Sequence, residues 1–424
     1  MEKFISMQRT RNGFVVLVAW MLSSTSGFGQ LQTVFSDYGG ATFLTRINTA
    51  ASSFTGLGAS YFDATDAGLI QAQIQSDLQT IYQKFSINFV TTNPGGSFHT
   101  IQFFNTDPSN FGLAPFDWRN QVAAETVNVF PANFSNGNLP GLLDSSLSKA
   151  VNRQRLATAL AGTAAHELAH SFGLDHQDAY GTPAMTNQAA TGGVQNQHGM
   201  RTRSTGAGAA ERLQRPDFNP LEVAKLEVPG NLGVNGFSPV AEQAAAHGTN
   251  ATAQAVTLSA LNYNNVMAAV VNQASISAVN EVDAYRFTFK PNDLISLAVI
   301  NENPVPNPRV NPFLRLFDTD GTTVLLSNSD TRFSGNSFGQ PGDPVYVNGS
   351  ILLNFFTASG GDYFVQVLGE GAANTGNYEL FVMAQSVPEP ATLALLGVSL
   401  SATGYIWYRR RRHHRKALEA TIRV

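Results

Sequence analysis

The residues of this chain best suited to chemistry lie in one eleven-residue run, His166-Glu167-Leu168-Ala169-His170-Ser171-Phe172-Gly173-Leu174-Asp175-His176. On a helix, positions four apart stand one turn apart on the same face, so His166 and His170 can direct both imidazoles at one ion. Imidazole nitrogens at about 2.0–2.1 Å suit Zn2+. Glu167, next in sequence to the first histidine, points beside such an ion and is placed to take a proton from a water bound there. Gly173 follows His170 where a glycine can adopt positive φ and end a helix sharply. The reversal brings His176 back toward the ion as a third ligand. Three histidines leave a fourth position open for water, the arrangement of a catalytic zinc site.

This string resembles the metzincin clan of zinc peptidases, and its spacing is similar to the matrixin-like side of that clan. The resemblance covers residues 30–225. It implies His166, His170 and His176 as zinc ligands, Glu167 as general base, and hydrolysis of peptide bonds in a protein or peptide substrate. It also implies a methionine turn after the third histidine, for which Met185 is the candidate and Met200 the runner-up. The family often has a tyrosine two residues past that methionine; here Asn187 stands there, so no tyrosine ligand is expected. Clan members bind substrate along an edge strand, which makes Phe111–Phe116 the candidate edge.

The elements that must hold this run can be read around it. A helix spanning roughly Ser146–Phe172 carries it, rich in small residues (Ala157, Ala159, Ala161, Gly162, Ala164, Ala165) that permit close packing on a sheet. Ile70, Ile74, Leu78, Ile81 and Phe85 recur at three- and four-residue steps and predict a second, amphipathic helix. Ile87–Thr91, Thr100–Phe104 and Thr126–Phe130 read as strands between Pro/Gly/Asn turns. Helices with several strands indicate an α+β catalytic domain over residues 30–227.

Residues 228–252 turn to Gly, Asn, Pro, Ala and Ser and read as a linker. Beyond them the texture is short and alternating: Tyr285, Phe287 and Phe289, then Tyr363, Val365 and Val367. Asp320-Gly321 between two such runs signals a hairpin. Residues 253–386 therefore read as a β-sandwich. Asp283–Phe289, Pro312–Gly321, Gly361–Val367 and Gly376–Val382 resemble the bacterial pre-peptidase C-terminal domain. Asp318 and Asp320 read first as part of a plain hairpin turn, with Ca2+ ligation together with Asp330 as the alternative. His99, His198 and His247 have no partners at ligand spacing and read as surface or loop histidines.

The two ends read as addresses. In residues 1–29, Lys3, Arg9 and Arg11 precede the apolar run Phe14–Leu22 and the small residues Ser26, Gly27 and Gly29, the order of a signal peptide. At the other end Val387-Pro388-Glu389-Pro390 precedes an uncharged 18-residue stretch, Ala391–Tyr408, long enough for a single transmembrane helix. Trp407 and Tyr408 close it, and Arg409–Arg412, His413, His414, Arg415 and Lys416 form a positive stop. Residues 387–424 resemble the PEP-CTERM sorting signal of exported bacterial proteins. That resemblance implies an exosortase-type processing enzyme, a membrane contact of the tail that is transient if the tail is removed, and the surface, outer envelope or extracellular matrix of a Gram-negative host.

Composition sets outer bounds. Among 424 residues there is no cysteine, which excludes thiol catalysis, disulfides and Cys-ligated metal. The formal charge of −4 averages unlike parts: residues 30–386 carry 16 basic and 27 acidic side chains, a net of −11. An acidic body disfavours nucleic acid as a partner. The expectation is an exported zinc metalloendopeptidase. Its alternatives are a surface or matrix-binding protein with a vestigial metal site, and a zinc hydrolase of some other amide.

Overall fold

A computed structural model describes residues 31–386, except 118–119, 121, 123, 175–177, 179–199, 201–208, 234–237, 262, 264, 302–309, 329–349 and 371–373. The first strand, β1 (Gln32–Asp37), buries Val34 and Ser36 on one face. It pairs in parallel with β2 (Ile87–Val90) on one side and β3 (His99–Gln102) on the other. A short β4 (Gly112–Leu113) and β5 (Thr126–Val129) complete a five-stranded sheet in the order β2-β1-β3-β5-β4. β5 runs parallel to β3, whereas β4 is antiparallel to β5 and forms the edge.

Three helices accompany this sheet: α1 (Ala41–Ser52), α2 (Ala64–Ile81) and α3 (Lys149–Ser171). α2 buries Ile70, Ile74, Leu78 and Ile81, as the three- and four-residue spacing predicts, but it stops before Phe85, which is buried in the turn beyond. Its start is fixed by a capping box between Asp63 and Asp66. Asp66 also accepts from Lys149 and Arg153 at 2.6 Å each, so the beginnings of α2 and α3 are tied together. Ser148 caps α3 by accepting from the Val151 amide. From Leu156 onward α3 is buried on nearly every side. Its alanines let neighbouring backbone come close: the Tyr82 hydroxyl donates to the Ala165 carbonyl at 2.7 Å. Gly173 adopts φ +94° and ends the helix, its amide donating to the His170 carbonyl at 3.0 Å.

After a short α4 (Ala209–Arg212), α5 (Pro220–Glu227) begins with a second capping box, Asn219 with Glu222. The chain then builds two facing sheets. One has β13 (Val324–Asn328), β12 (Pro312–Phe317), β15 (Gly361–Gly369), β10 (Val282–Phe289) and β7 (Gln254–Ala255) in that order. The other runs β14 (Ser350–Phe356), β11 (Asp293–Asn301), β16 (Gly376–Ser386), β9 (Val266–Ile276) and β6 (Val240–Ala241), with β8 (Ser259–Ala260) also beside β9. The expected alternation appears: Tyr285, Phe287, Tyr363, Val365 and Val367 all point into the shared core, with Tyr285 opposite Val365 and Phe287 opposite Tyr363.

β16 departs from alternation. Residues 378–384 are buried without a break, because both faces are covered. One face lines the sandwich core; the other, with Phe381 and Met383, lies under Leu221, Ala224 and Val228 at α5. The segment 228–252, read from composition as a linker, contributes β6, which pairs in parallel with β9, and a 3-10 turn at Asn250–Thr252. Asp320-Gly321 does turn the β12–β13 hairpin, with Gly321 at φ +67°. The two terminal segments, 1–29 and 387–424, lie outside the described residues. No helix among the described residues is long and apolar enough to cross a membrane, and 391–408 is not among them.

Candidate metal centre

α3 sets His166, Glu167 and His170 within a turn and a half of one another. The two imidazole rings are 4.8 Å apart between centroids and nearly perpendicular. His170 is fully buried, and its Nδ1 lies 2.8 Å from the Leu174 carbonyl. A carbonyl only accepts, so Nδ1 carries the ring proton and Nε2 presents its lone pair. Histidine ligands of metals are oriented in this way, by a backbone carbonyl on the other ring nitrogen. The carbonyl is available because Gly173 reverses the chain, and the Leu174 amide in turn donates to Ala169 at 3.0 Å. Of the three implied ligands, His170 has the orientation a metal ligand takes and His166 stands one turn from it. The third, His176, and the candidate turn methionine, Met185, lie outside the described residues.

Glu167 is 4% exposed and lies against edge strand β4. A Cβ at Gly112 would overlap the Glu167 carboxylate, so the strand's backbone and the carboxylate are in direct contact. The expected edge at Phe111–Phe116 is therefore occupied in part by a real edge strand, Gly112–Leu113. Its bracing was not read from the sequence. Arg212 of α4 stacks its guanidinium on Phe111 at 4.0 Å from the ring centroid, and its Nη1 donates to Thr163 Oγ1 on α3 at 2.7 Å. Thr163 lies three residues before His166, so Arg212 joins the edge strand to the ligand-bearing helix. No motif announces an arginine whose partners, Phe111 and Thr163 among them, come from distant segments.

Beneath the end of α3 sits a buried polar group. The Asp117 amide donates to the His170 carbonyl at 3.3 Å, and Asp117 Oδ2 accepts from the Val122 amide at 2.7 Å. His99, expected at the surface, is fully buried: its Nε2 is 2.9 Å from Asn120 Oδ1 and its ring meets Phe172 edge-on. Burial lowers its pKa, against the opposing effects of the Asn120 bond and the Asp117 charge. Glu125 stands 9% exposed, and burial together with the Asp117 charge pushes its carboxyl up to about 8.

Met200 is fully buried in the core that contains α3, and its amide donates to Glu222 Oε1 at 2.9 Å. Asp178, just past the third histidine, forms a wholly buried ion pair with Lys225 of α5 at 2.5 Å. The Asp178 carbonyl also accepts from Asn219 at 2.6 Å. Both points are pinned to α5. In the sandwich, Asp318 and Asp320 spend their carboxylates on the hairpin, Asp320 on Thr322 and Thr323 and Asp318 on Thr319. The Thr323 hydroxyl and amide hold the Asp320 carboxyl below the usual range. Asp330, the third residue of the alternative Ca2+ reading, lies outside the described residues. His198 does too.

The PEP-CTERM protein-sorting motif matches residues 386–412. Such a motif implies export, sorting to the cell envelope in bacteria, exosortase-type processing and membrane anchoring. No curated protein matches the chain. Among solved structures the chain is similar to the pre-peptidase C-terminal domain of a collagenase from Bacillus anthracis, at 20% identity over 31% of this chain and 93% of that one, TM-score 0.19. It is similar to a periplasmic inhibitor of g-type lysozyme from Aeromonas hydrophila at 13% identity over 31% and 96%, TM-score 0.19. A serine protease of Aeromonas sobria aligns at 12% identity over 28% and 26%, TM-score 0.18.

Proposed function

We propose that the chain is an exported zinc-dependent metalloendopeptidase of metzincin type, with a pre-peptidase C-terminal-like sandwich and a sorting tail processed near Val387–Pro390 in a Gram-negative envelope. The observation that supports it best is His170, whose Nδ1 is committed to the Leu174 carbonyl while His166 faces it one turn away. His166, His170 and His176 would hold the zinc, which when bound polarises the scissile carbonyl and acidifies its water. Glu167 takes the proton of the attacking water and returns it to the leaving amine. Its burial against Gly112 keeps the carboxylate in one place and limits competing solvent. The free side of β4 offers backbone groups along which an extended peptide can add as another strand. Arg212 keeps that strand at a fixed distance from α3.

The test is hydrolysis of an unstructured protein by residues 30–386 supplied with zinc. Glu167→Ala should lower kcat/KM by at least about 10²–10⁴-fold; undiminished activity in that variant overturns the mechanism. Stoichiometric zinc without turnover on any peptide library would favour the surface-binding reading, which the sandwich and tail motivate.

A further inference from the structure

A second histidine cluster lies at one end of the sandwich, away from α3. Glu242 follows β6, His247 stands in the loop after it, and Asp283 is the second residue of β10. One ligand atom of each lies within 4.8 Å of the others. His247 is 6% exposed, with Nε2 3.4 Å from Glu242 Oε1 and 3.7 Å from Asp283 Oδ1. Its Nδ1 is 3.0 Å from the Ala245 carbonyl. That carbonyl accepts only, so Nδ1 carries a proton, and Nε2 is turned toward the two carboxylates. Nε2 is buried with no hydrogen-bond partner.

The Tyr285 hydroxyl donates to Glu242 at 3.1 Å and the Tyr378 hydroxyl to Asp283 Oδ2 at 2.7 Å. The two hydroxyls are themselves 2.7 Å apart. Glu281, which also faces the group, is engaged by Ser277 and the Ala278 amide. His247 Nε2 and the two carboxylates therefore converge on one point, and the residues lining the cavity there include no Lys or Arg. A cavity of about 470 Å³ lined by Glu242, His247, Ser275, Ser277, Glu281 and Asp283 opens onto the cluster, with room for an ion and its waters.

We propose that Glu242, His247 and Asp283 bind one divalent transition-metal ion, of the zinc class, at a site separate from α3. A neutral imidazole beside two carboxylates suits zinc and its neighbours, whereas Ca2+ prefers six to eight oxygens. The ion supplies positive charge between the two carboxylates. It also joins the stretch between the two halves of the molecule, through Glu242 and His247, to the body of the sandwich through Asp283. The proposal does not depend on the peptidase reading.

The test uses the full chain carrying His166→Ala and His170→Ala, which disables the α3 cluster. Equilibrium binding of Zn2+ should show one more tight site in this variant than in the same variant with His247→Ala added. His247→Ala should weaken that site by more than the about 10–100-fold that loss of an outer-shell partner costs. The near-isosteric Glu242→Gln should weaken it as well, and Co2+ in place of Zn2+ should give a visible absorption band lost with His247. Ca2+ at the same concentration should not displace the ion. Equal zinc stoichiometry with and without His247, or displacement by Ca2+, overturns the proposal. So does a metal-free chain whose His247 titrates as an imidazolium between the two carboxylates.

Discussion

The two histidine clusters of this molecule are assembled in opposite ways. His166, Glu167 and His170 share one helix, and their relation to one another is set by helical periodicity before any tertiary contact forms. Glu242, His247 and Asp283 come from a strand end, a loop and another strand, and meet only when β6 and β10 have both found their partners. A cluster carried on one element tolerates adjustment of its surroundings. One gathered from three depends on every register that brings it together.

Glu167→Ala offers the sharpest use of that contrast. It should abolish peptide hydrolysis while leaving the melting temperature close to that of the parent, because helical periodicity and not the carboxylate sets the geometry of the cluster. A large fall in melting temperature would show that the helix-borne site is not self-sufficient. Next comes Lys225→Ala, which removes the cation of the wholly buried Lys225–Asp178 pair. Denaturant unfolding should report a loss of about 3–5 kcal/mol, larger than that of any exposed ion pair such as Lys84–Asp217.

Gly112→Ala drives a methyl group into Glu167. A loss of about 1–3 kcal/mol is expected from overpacking, with a fall in kcat/KM exceeding what that instability explains. Asp63→Ala removes the α2 cap and should cost about 1 kcal/mol, with catalysis unchanged. The last effect is a pH slope. Glu125 keeps its proton in the folded state up to about 8, while the unfolded chain releases it near 4.5. The unfolded state binds fewer protons in that window, so stability falls as pH rises from about 4.5 to about 8. Melting temperatures across the window should show this slope in the parent and a flatter one in Glu125→Gln.

Legibility in the sequence followed the same division. α3 extends over 149–171 where spacing and small residues indicate 146–172, and β2, β3 and β5 fall within one or two residues of their expected places. Each announces itself through local period or turn residues. β1 and α1 went unread. β1 has polar residues at four of its six positions, and α1 starts after Gly40 with no side-chain cap and several β-branched threonines. The stretch 228–252 looks like a linker because β6 is two residues long, and its partner β9 lies more than twenty residues further on. His99 and His247 were assigned to the surface for the same reason. What buries them, Asn120 and Asp283, is distant in sequence. Arg212 is the clearest case of a positioning residue that pattern cannot reveal.

The unbroken burial of β16 has a consequence for how the molecule comes apart. Phe381 and Met383 are kept from water by α5, an element of the other half of the chain. Cutting the polypeptide between 228 and 252 would bare an apolar strip on β9 and β16 instead of releasing a clean sandwich, and excised sandwiches would associate through it. Heat or denaturant should meet the two halves as one cooperative unit, melting together in a single transition.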